Sequence, residues 1–244
     1  MRILLVVAYD GTDYHGWQFQ KNGNTIEEEL NKALTALVKK PVEVIGASRT
    51  DSGVHARCNL AVFDTDMNIP PEKYAYALNA MLPADIRIRR SLLVEDDFHP
   101  RKRKTSKYYR YAIDCEEFAD PLKTRYACHT YPGLDVDKMR EAAKYLVGEH
   151  DFTSFCAAGS QAASNVRRID SIEITCDGAD IYIDVRGGGF LYNMVRIIAG
   201  TLMEAGRGKL KPEEIADILE ARDRSKAGPT AEACGLTLMD IDWK

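Results

Sequence analysis

None of the 244 residues belongs to a stretch approaching the ~20 consecutive apolar positions that a membrane-crossing helix needs. The opening apolar run, Ile3 to Ala8, is shorter than a secretory signal core and ends in a Tyr9-Asp10-Gly11 turn, so no leader is expected. The six cysteines, Cys58, Cys115, Cys128, Cys156, Cys176 and Cys234, never pair as C-x-x-C and are scattered along the chain. That argues against a zinc site or a disulfide frame; they read as small buried thiols of a reducing cytoplasm. H-x-H and H-E-x-x-H are missing, and the five histidines stand apart, so each reads as a structural donor and no metal is expected. The P-loop G-K-[ST] and the dinucleotide G-x-G-x-x-G are missing too. Gly187-Gly188-Gly189 lies between a predicted strand and a predicted helix but lacks their spacing; close backbone packing or a ligand's near approach explains it better, and no organic cofactor is implied. Net basic charge is also lacking: 33 Lys+Arg against 37 Asp+Glu leave −4, which argues against indiscriminate coating of DNA.

What is there is an ordinary globular mix, 45% apolar and 29% charged, with length for one large or two modest domains. The cations are clustered. Arg101-Lys102-Arg103-Lys104 is followed by Lys107 and Arg110, with Arg87, Arg89 and Arg90 just upstream. Such a run is either a solvated loop or a phosphate-facing surface.

Strands are predicted over Ile3–Tyr9, Val42–Ala47, Leu60–Phe63 and Ile86–Val94. Thr25 and Glu28 have capping-box spacing ahead of Ile26, Leu30, Ala33, Leu34 and Leu37, which predicts an amphipathic helix. Pro70-Pro71 opens another, with Tyr74, Ala77, Leu78 and Met81 inward. Composition then shifts sharply near residues 100 to 107, predicting domains 1–104 and 105–244. The second half offers strands at Tyr108–Ile113, Tyr126–Thr130, Ile169–Thr175, Ile181–Arg186 and Leu236–Trp243, with an Asp177-Gly178 hairpin turn. Its helices are expected after a capping Asp137, with Met139, Ala142, Ala143 and Leu146 inward and Gly148 closing, then over Leu191–Glu204 and around Ile215–Leu219. Hairpin-like neighbours with helices between them predict an α+β class with largely antiparallel sheets.

Chemistry concentrates in Gly46-Ala47-Ser48-Arg49-Thr50-Asp51-Ser52-Gly53-Val54-His55-Ala56, a polar loop joining two apolar strands. Loops carried on a rigid sheet are where reacting groups tend to sit. The plainer alternative is a loop whose Asp51 bonds nearby backbone amides. Arg196, among Met194, Val195, Ile197 and Ile198, either snorkels to the surface or answers a buried carboxylate, which needs such a partner to stay ionised. In Tyr108-Tyr109-Arg110-Tyr111, alternation sends Tyr109 and Tyr111 to one face and Tyr108 and Arg110 to the other. Tyrosine suits a half-buried strand, and beside cations it also suits stacking on a nucleobase.

Arg49-Thr50-Asp51-Ser52-Gly53-Val54-His55-Ala56 closely resembles the R-T-D-A-G-V-H signature of the tRNA pseudouridine synthase A family, with Ser52 in place of the usual alanine. Tyr9-Asp10-Gly11-Thr12 with Gly16-Trp17-Gln18, Asn79-Ala80-Met81-Leu82-Pro83, Phe98-His99-Pro100-Arg101 with Tyr109-Arg110-Tyr111, Asp151-Phe152-Thr153-Ser154-Phe155 and Met194-Val195-Arg196 are similar to further family motifs, in order. The resemblance implies conversion of uridine to pseudouridine at positions 38, 39 and 40 of the tRNA anticodon stem-loop, without metal or organic cofactor. It implies two α+β domains whose sheets join around a basic cleft, in a cytoplasmic homodimer with no membrane association. It makes Asp51 the nucleophile, Tyr109 the residue contacting the target base, Arg196 the partner of Asp51, and Arg49 a holder of the extruded nucleotide. Two other classes compete: a non-catalytic RNA-binding module or folding chaperone, and a metal-dependent phosphoesterase using Asp51 and His55. The first leaves the Asp51 loop without a job.

Overall fold

Ile3, Leu4, Leu5 and Val7 follow one another without alternation, so both faces of their strand must be covered. In the computed structural model, which describes residues 1–102 and 105–243, all four are fully buried. Arg103 and Lys104 of the basic run lie outside the described residues. The strand, β1 (Arg2–Tyr9), leads to α1 (Ile26–Val38), β2 (Ile45–Gly46), β3 (His55–Asp64), α2 (Tyr74–Asn79, entered through one 3-10 turn at Pro71–Lys73) and β4 (Ile86–Val94). β1 runs antiparallel between β3 and β4, and β2 pairs with β3. The Thr25 hydroxyl accepts from the Glu28 amide at 3.3 Å, capping α1 as its spacing predicts.

Three expectations shift in this half. The strand predicted over Val42–Ala47 shrinks to Ile45–Gly46, because the amides of Val42 and Val44 donate to Thr35 Oγ1 and Asn31 Oδ1 of α1 at 3.1 and 2.9 Å instead of joining the ladder. The strand predicted at Leu60–Phe63 starts five residues earlier, at His55, directly after the Asp51 loop. Met81 is exposed rather than inward. Its helix stops at Asn79, whose side chain bonds both the amide and the carbonyl of Ile88 on β4 at 2.8 and 2.9 Å.

The second half contains β5 (Ser106–Asp114), β6 (Cys128–His129), α3 (Val136–Lys144), β7 (Gly148–Asp151), β8 (Val166–Asp177), β9 (Asp180–Gly187), α4 (Met194–Gly206) and α5 (Glu214–Ala221). Antiparallel strands lie in the order β5-β9-β8-β7, and β6 adds a short parallel pairing to β5. The cap of α3 is Asp135, whose Oδ1 accepts from the Lys138 amide at 3.1 Å; Asp137 sits inside the first turn and pairs with Arg140. In the hairpin Asp177 faces Asp180, so the turn residues are Gly178, at φ +60°, and Ala179. Helix α4 starts at Met194 rather than Leu191 because Asn193 adopts the left-handed conformation, φ 57°. The architecture is α+β with largely antiparallel strands.

β10 (Leu236–Asp242) closes the chain beside β3. The molecule accordingly divides into one unit of Met1–Thr105 with Leu238–Lys244, and a second of Ser106–Thr237. The second half as drawn from sequence, 105–244, differs from this division at its end, where Leu236 and Thr237 of β10 fall in the second unit and Leu238 onward in the first. Among the described residues no helix is long and apolar enough to cross a membrane.

The cysteines are less uniformly buried than expected. Cys128 and Cys156 are buried, Cys58, Cys115 and Cys234 are half-buried, and Cys176, near the end of β8, is exposed. Burial pushes the thiols of Cys58, Cys115 and Cys234 up to about 11. The thiolate is the nucleophile, so at pH 8 iodoacetamide alkylates Cys176 first, and modification of the other three rises about tenfold per pH unit towards pH 11. Peptide mapping by mass spectrometry over a pH series reads this directly.

Candidate active site

The loop from residue 47 to 54 leaves β2 and returns as β3, and its backbone is tied down almost throughout. Ala47 N–H donates to Leu60 O at 2.8 Å, continuing the β2–β3 ladder by one step. Asn59, wholly buried in β3, then takes over with its side chain: Nδ2 donates to Ser48 O at 2.9 Å and Oδ1 accepts from Ser48 N–H at 3.3 Å. Nδ2 also donates to the Tyr9 hydroxyl at 3.2 Å, and that hydroxyl lies 2.8 Å from Thr50 Oγ1. Trp17 N–H donates to Thr50 O at 3.1 Å, Gly53 N–H to Tyr14 O at 3.3 Å, and Val54 N–H to Asp51 O at 3.1 Å. Asp51 is thereby held half-buried between anchored neighbours, while Arg49 is exposed.

Two glycines make this closeness sterically allowed. Gly16 has φ +85°, and a Cβ there would stand 2.5 Å from Thr50 O. A Cβ on Gly46 would enter the indole of Trp17, which is itself buried against Tyr9 with ring centroids 5.9 Å apart. At the far end of the loop His55 is buried, its Nδ1 3.0 Å from the Gly11 amide nitrogen and 3.1 Å from Asp10 Oδ1. One ring nitrogen accepts from the amide or donates to the carboxylate, not both. Asp10 also accepts from the amide and hydroxyl of Thr12 at 3.0 and 2.6 Å. The Tyr9-Asp10-Gly11-Thr12 and Gly16-Trp17 segments thus brace the Asp51 loop. Asn59 and Tyr9 were not singled out as site residues from sequence; the available signal was an amide inside an apolar strand, which is expensive unless its bonds are made.

In the second unit Tyr109 sits on β5 opposite Val185, buried, its ring edge-to-face with Phe190 at 5.3 Å. The alternation read from sequence holds: Tyr109 and Tyr111 are buried, while Tyr108 and Arg110 occupy the other face. There the Arg186 guanidinium lies 3.8 Å over the Tyr108 ring. Arg110 forks onto Asp184 with two 2.7 Å bonds, and that carboxylate holds it still more firmly protonated. Part of the basic segment is therefore matched internally rather than displayed.

Arg196, on the first turn of α4, is half-buried. Its Nε donates to Ala231 O at 2.8 Å and its Nη1 to Asn193 Oδ1 at 2.9 Å. Its own carbonyl accepts from Ala231 N–H at 3.1 Å, so the side chain is aimed by clamps instead of trailing into solvent. The Asp151–Phe155 motif proves to be a folding device. Asp151 accepts from the amide and hydroxyl of Thr153 at 3.0 and 2.6 Å, bonds that hold its carboxyl below the usual range. Phe152 and Phe155 are fully buried, and the Ser154 hydroxyl donates to Ile218 O at 2.5 Å.

A family model described as tRNA pseudouridine synthase matches residues 5–101 and 142–244, which makes the molecule an enzyme of the isomerase class. Proteins named tRNA pseudouridine synthase A are similar nearly end to end. That of Ruminiclostridium cellulolyticum is 48% identical over 241 residues, covering 98% of each chain. Those of Thermoanaerobacter sp. and Bacillus subtilis are 46% and 45% identical, each covering 98% of the relative and 98% and 99% of this chain. The chain belongs to the tRNA pseudouridine synthase A family. Among solved structures, the archaeal box H/ACA sRNP Nop10-Cbf5 complex aligns with a TM-score of 0.36 at 14% identity, over 97% of this chain and 46% of that one, too slight a likeness to add to the assignment.

Gly16→Ala is expected to destabilise the protein by about 2 kcal/mol or more, because an alanine suffers the left-handed φ and also meets Thr50 O. Gly159 has nearly the same φ, +86°, but open space around it, so Gly159→Ala is the smaller loss. Urea unfolding of the two variants compares the steric share with the conformational one.

Proposed function

We propose that this enzyme converts uridine to pseudouridine at positions 38, 39 and 40 in the anticodon stem-loop of tRNA, with Asp51 as the reacting carboxylate and no cofactor. The observation that carries the reading is the Arg49–His55 loop: it lies within the matched family region and is braced by buried bonds on both flanks of one carboxylate.

The reaction is an internal exchange. The bond between N1 of uracil and C1′ of ribose breaks, the base turns, and C5 bonds to C1′; C5 then loses its proton and N1 ends protonated. No electrons are gained or lost, so no hydride carrier is required. Asp51 serves as nucleophile at C1′, or as the base that takes the 2′ proton, while uracil leaves as an anion. Either role needs the carboxylate ionised and fixed in place. Arg196 supplies the answering charge, and its clamps at Asn193 and Ala231 fit a guanidinium that must keep one orientation. Tyr109 offers an aromatic ring to the target base, backed by Phe190. Arg49, exposed beside Asp51, engages the phosphate of the nucleotide once it is turned out of the helix. The exposed cations Arg89, Arg90, Arg101 and Lys102 contribute a docking surface along a basic cleft. A cytoplasmic homodimer completes the reading.

Asp51→Asn keeps the shape of the side chain and removes its charge. Tritium release from C5-labelled tRNA is expected to fall about 10⁴-fold or more, with tRNA affinity nearly unchanged. Substantial turnover by that variant would refute the assignment. Between 50 and 200 mM salt, tRNA affinity is expected to weaken about tenfold or more, as counterions released from phosphate demand. A flat response in filter binding rules out the basic segment as the docking surface.

A further inference from the structure

We propose that Asn59 is a positioning residue for the reaction, fixing Asp51 through a relay that runs from its amide to Ser48 on one side and through Tyr9 to Thr50 on the other. The proposal rests on the reading of Asp51 as the reacting carboxylate.

A backbone ladder joins β2 to β3 as far as Gly46 opposite Ala61, and one further bond, Ala47 N–H to Leu60 O, extends it. At the next step the partner of Ser48 is the side chain of Asn59 instead of its backbone. That amide accepts from Ser48 N–H and donates to Ser48 O, the same donor-acceptor pair a neighbouring strand would offer. The loop is thus carried one residue further along the sheet while the Asn59 backbone stays paired with β1, opposite Val7. The remaining capacity of the amide is also used: Oδ1 accepts from Leu60 N–H at 2.9 Å and Nδ2 donates to Tyr9 Oη at 3.2 Å. An amide has two donors and two acceptor lone pairs, so this one is saturated and has a single orientation.

Tyr9 passes the constraint on. Its ring is fixed against Trp17, and its hydroxyl lies 2.8 Å from the buried hydroxyl of Thr50, the residue before Asp51. Thr50 is held from its other side by Trp17 N–H on its carbonyl. Asn59 itself is wholly buried inside β3, so its effect on the reaction runs through the loop backbone. Reacting atoms misplaced by about 1 Å lose roughly a hundredfold in rate, which is the scale on which such a relay matters.

The test uses the full-length protein with Asn59→Ala, Tyr9→Phe, the double variant and Asp51→Asn. Single-turnover tritium release from C5-labelled tRNA, tRNA affinity by filter binding and thermal melting are measured on each. The expected result is a rate about tenfold or more below wild type for Asn59→Ala, with affinity within about twofold and the protein folded at the assay temperature. Tyr9→Phe is also slowed, and the double variant is no more than about twofold slower than Asn59→Ala, because both act along one chain. A purely scaffolding amide would lower the melting temperature yet leave the folded protein turning over within about twofold of wild type, and that result overturns the proposal. Should Asn59→Ala fail to fold, Tyr9→Phe decides alone: it removes one oxygen and keeps the ring, and an unchanged rate overturns the relay. Wild-type protein that releases no tritium refutes the reading of Asp51, and this proposal with it. Active wild type, inert Asp51→Asn and fully active Asn59→Ala refute the relay while leaving the function standing.

Discussion

The loop that carries Asp51 is held by polar groups with no water to fall back on. Ser48, Thr50 and Asn59 are all buried, and every hydrogen bond they lose on leaving solvent must be remade inside the protein. The saturated amide of Asn59 and the hydroxyls of Tyr9 and Thr50 do this, and the loop has a defined path because of it. The neighbouring segments follow from the same demand. Gly16 is bare so that Trp17 N–H can reach the Thr50 carbonyl, and Gly46 is bare because the Trp17 indole fills the space a Cβ would take. A charged side chain on a surface loop is ordinarily mobile; here burial of the backbone on both sides supplies the stiffness that the exposed side cannot.

Much of the secondary structure was legible because its signals are local. The apolar run of β1, the limits of β4 and the Thr25 cap all lie where sequence places them. Two of the misreadings share a cause, a side chain from elsewhere in the fold claiming a backbone group. Thr35 and Asn31 intercept the amides of Val42 and Val44 and cut β2 short; Asn79 takes both polar groups of Ile88 and ends α2 before Met81 can turn inward. No window of sequence contains such bonds, since their partners lie seven to thirteen residues away. The candidate site was legible as a list of residues but not as a mechanism of support. The resemblance picks out Tyr9, Asp10 and Gly11 as a pattern, whereas their task, bracing Thr50 and His55, is visible only when β1 and β3 are laid side by side.

The charge pattern illustrates the same gap. A run of cations reads as one electropositive surface, yet its members differ. Arg110 is forked onto Asp184 and Arg87 bonds the carbonyls of Pro83 and Ile86, while Arg89, Arg90, Arg101 and Lys102 are exposed. Only that second group is exposed, and counting residues cannot separate it from the first. Among the family motifs, likewise, Asp151–Phe155 and Asn79 work as architecture: a turn locked by Thr153 and a side chain that ends a helix.

The path of the chain has a consequence for how the protein is made. The ribosome delivers the first hundred residues early, but the strand that lies beside β3, Leu236–Asp242, comes after nearly all of the second unit. During translation the nascent first unit therefore waits with an open sheet edge, a template for wrong partners until the last strand arrives.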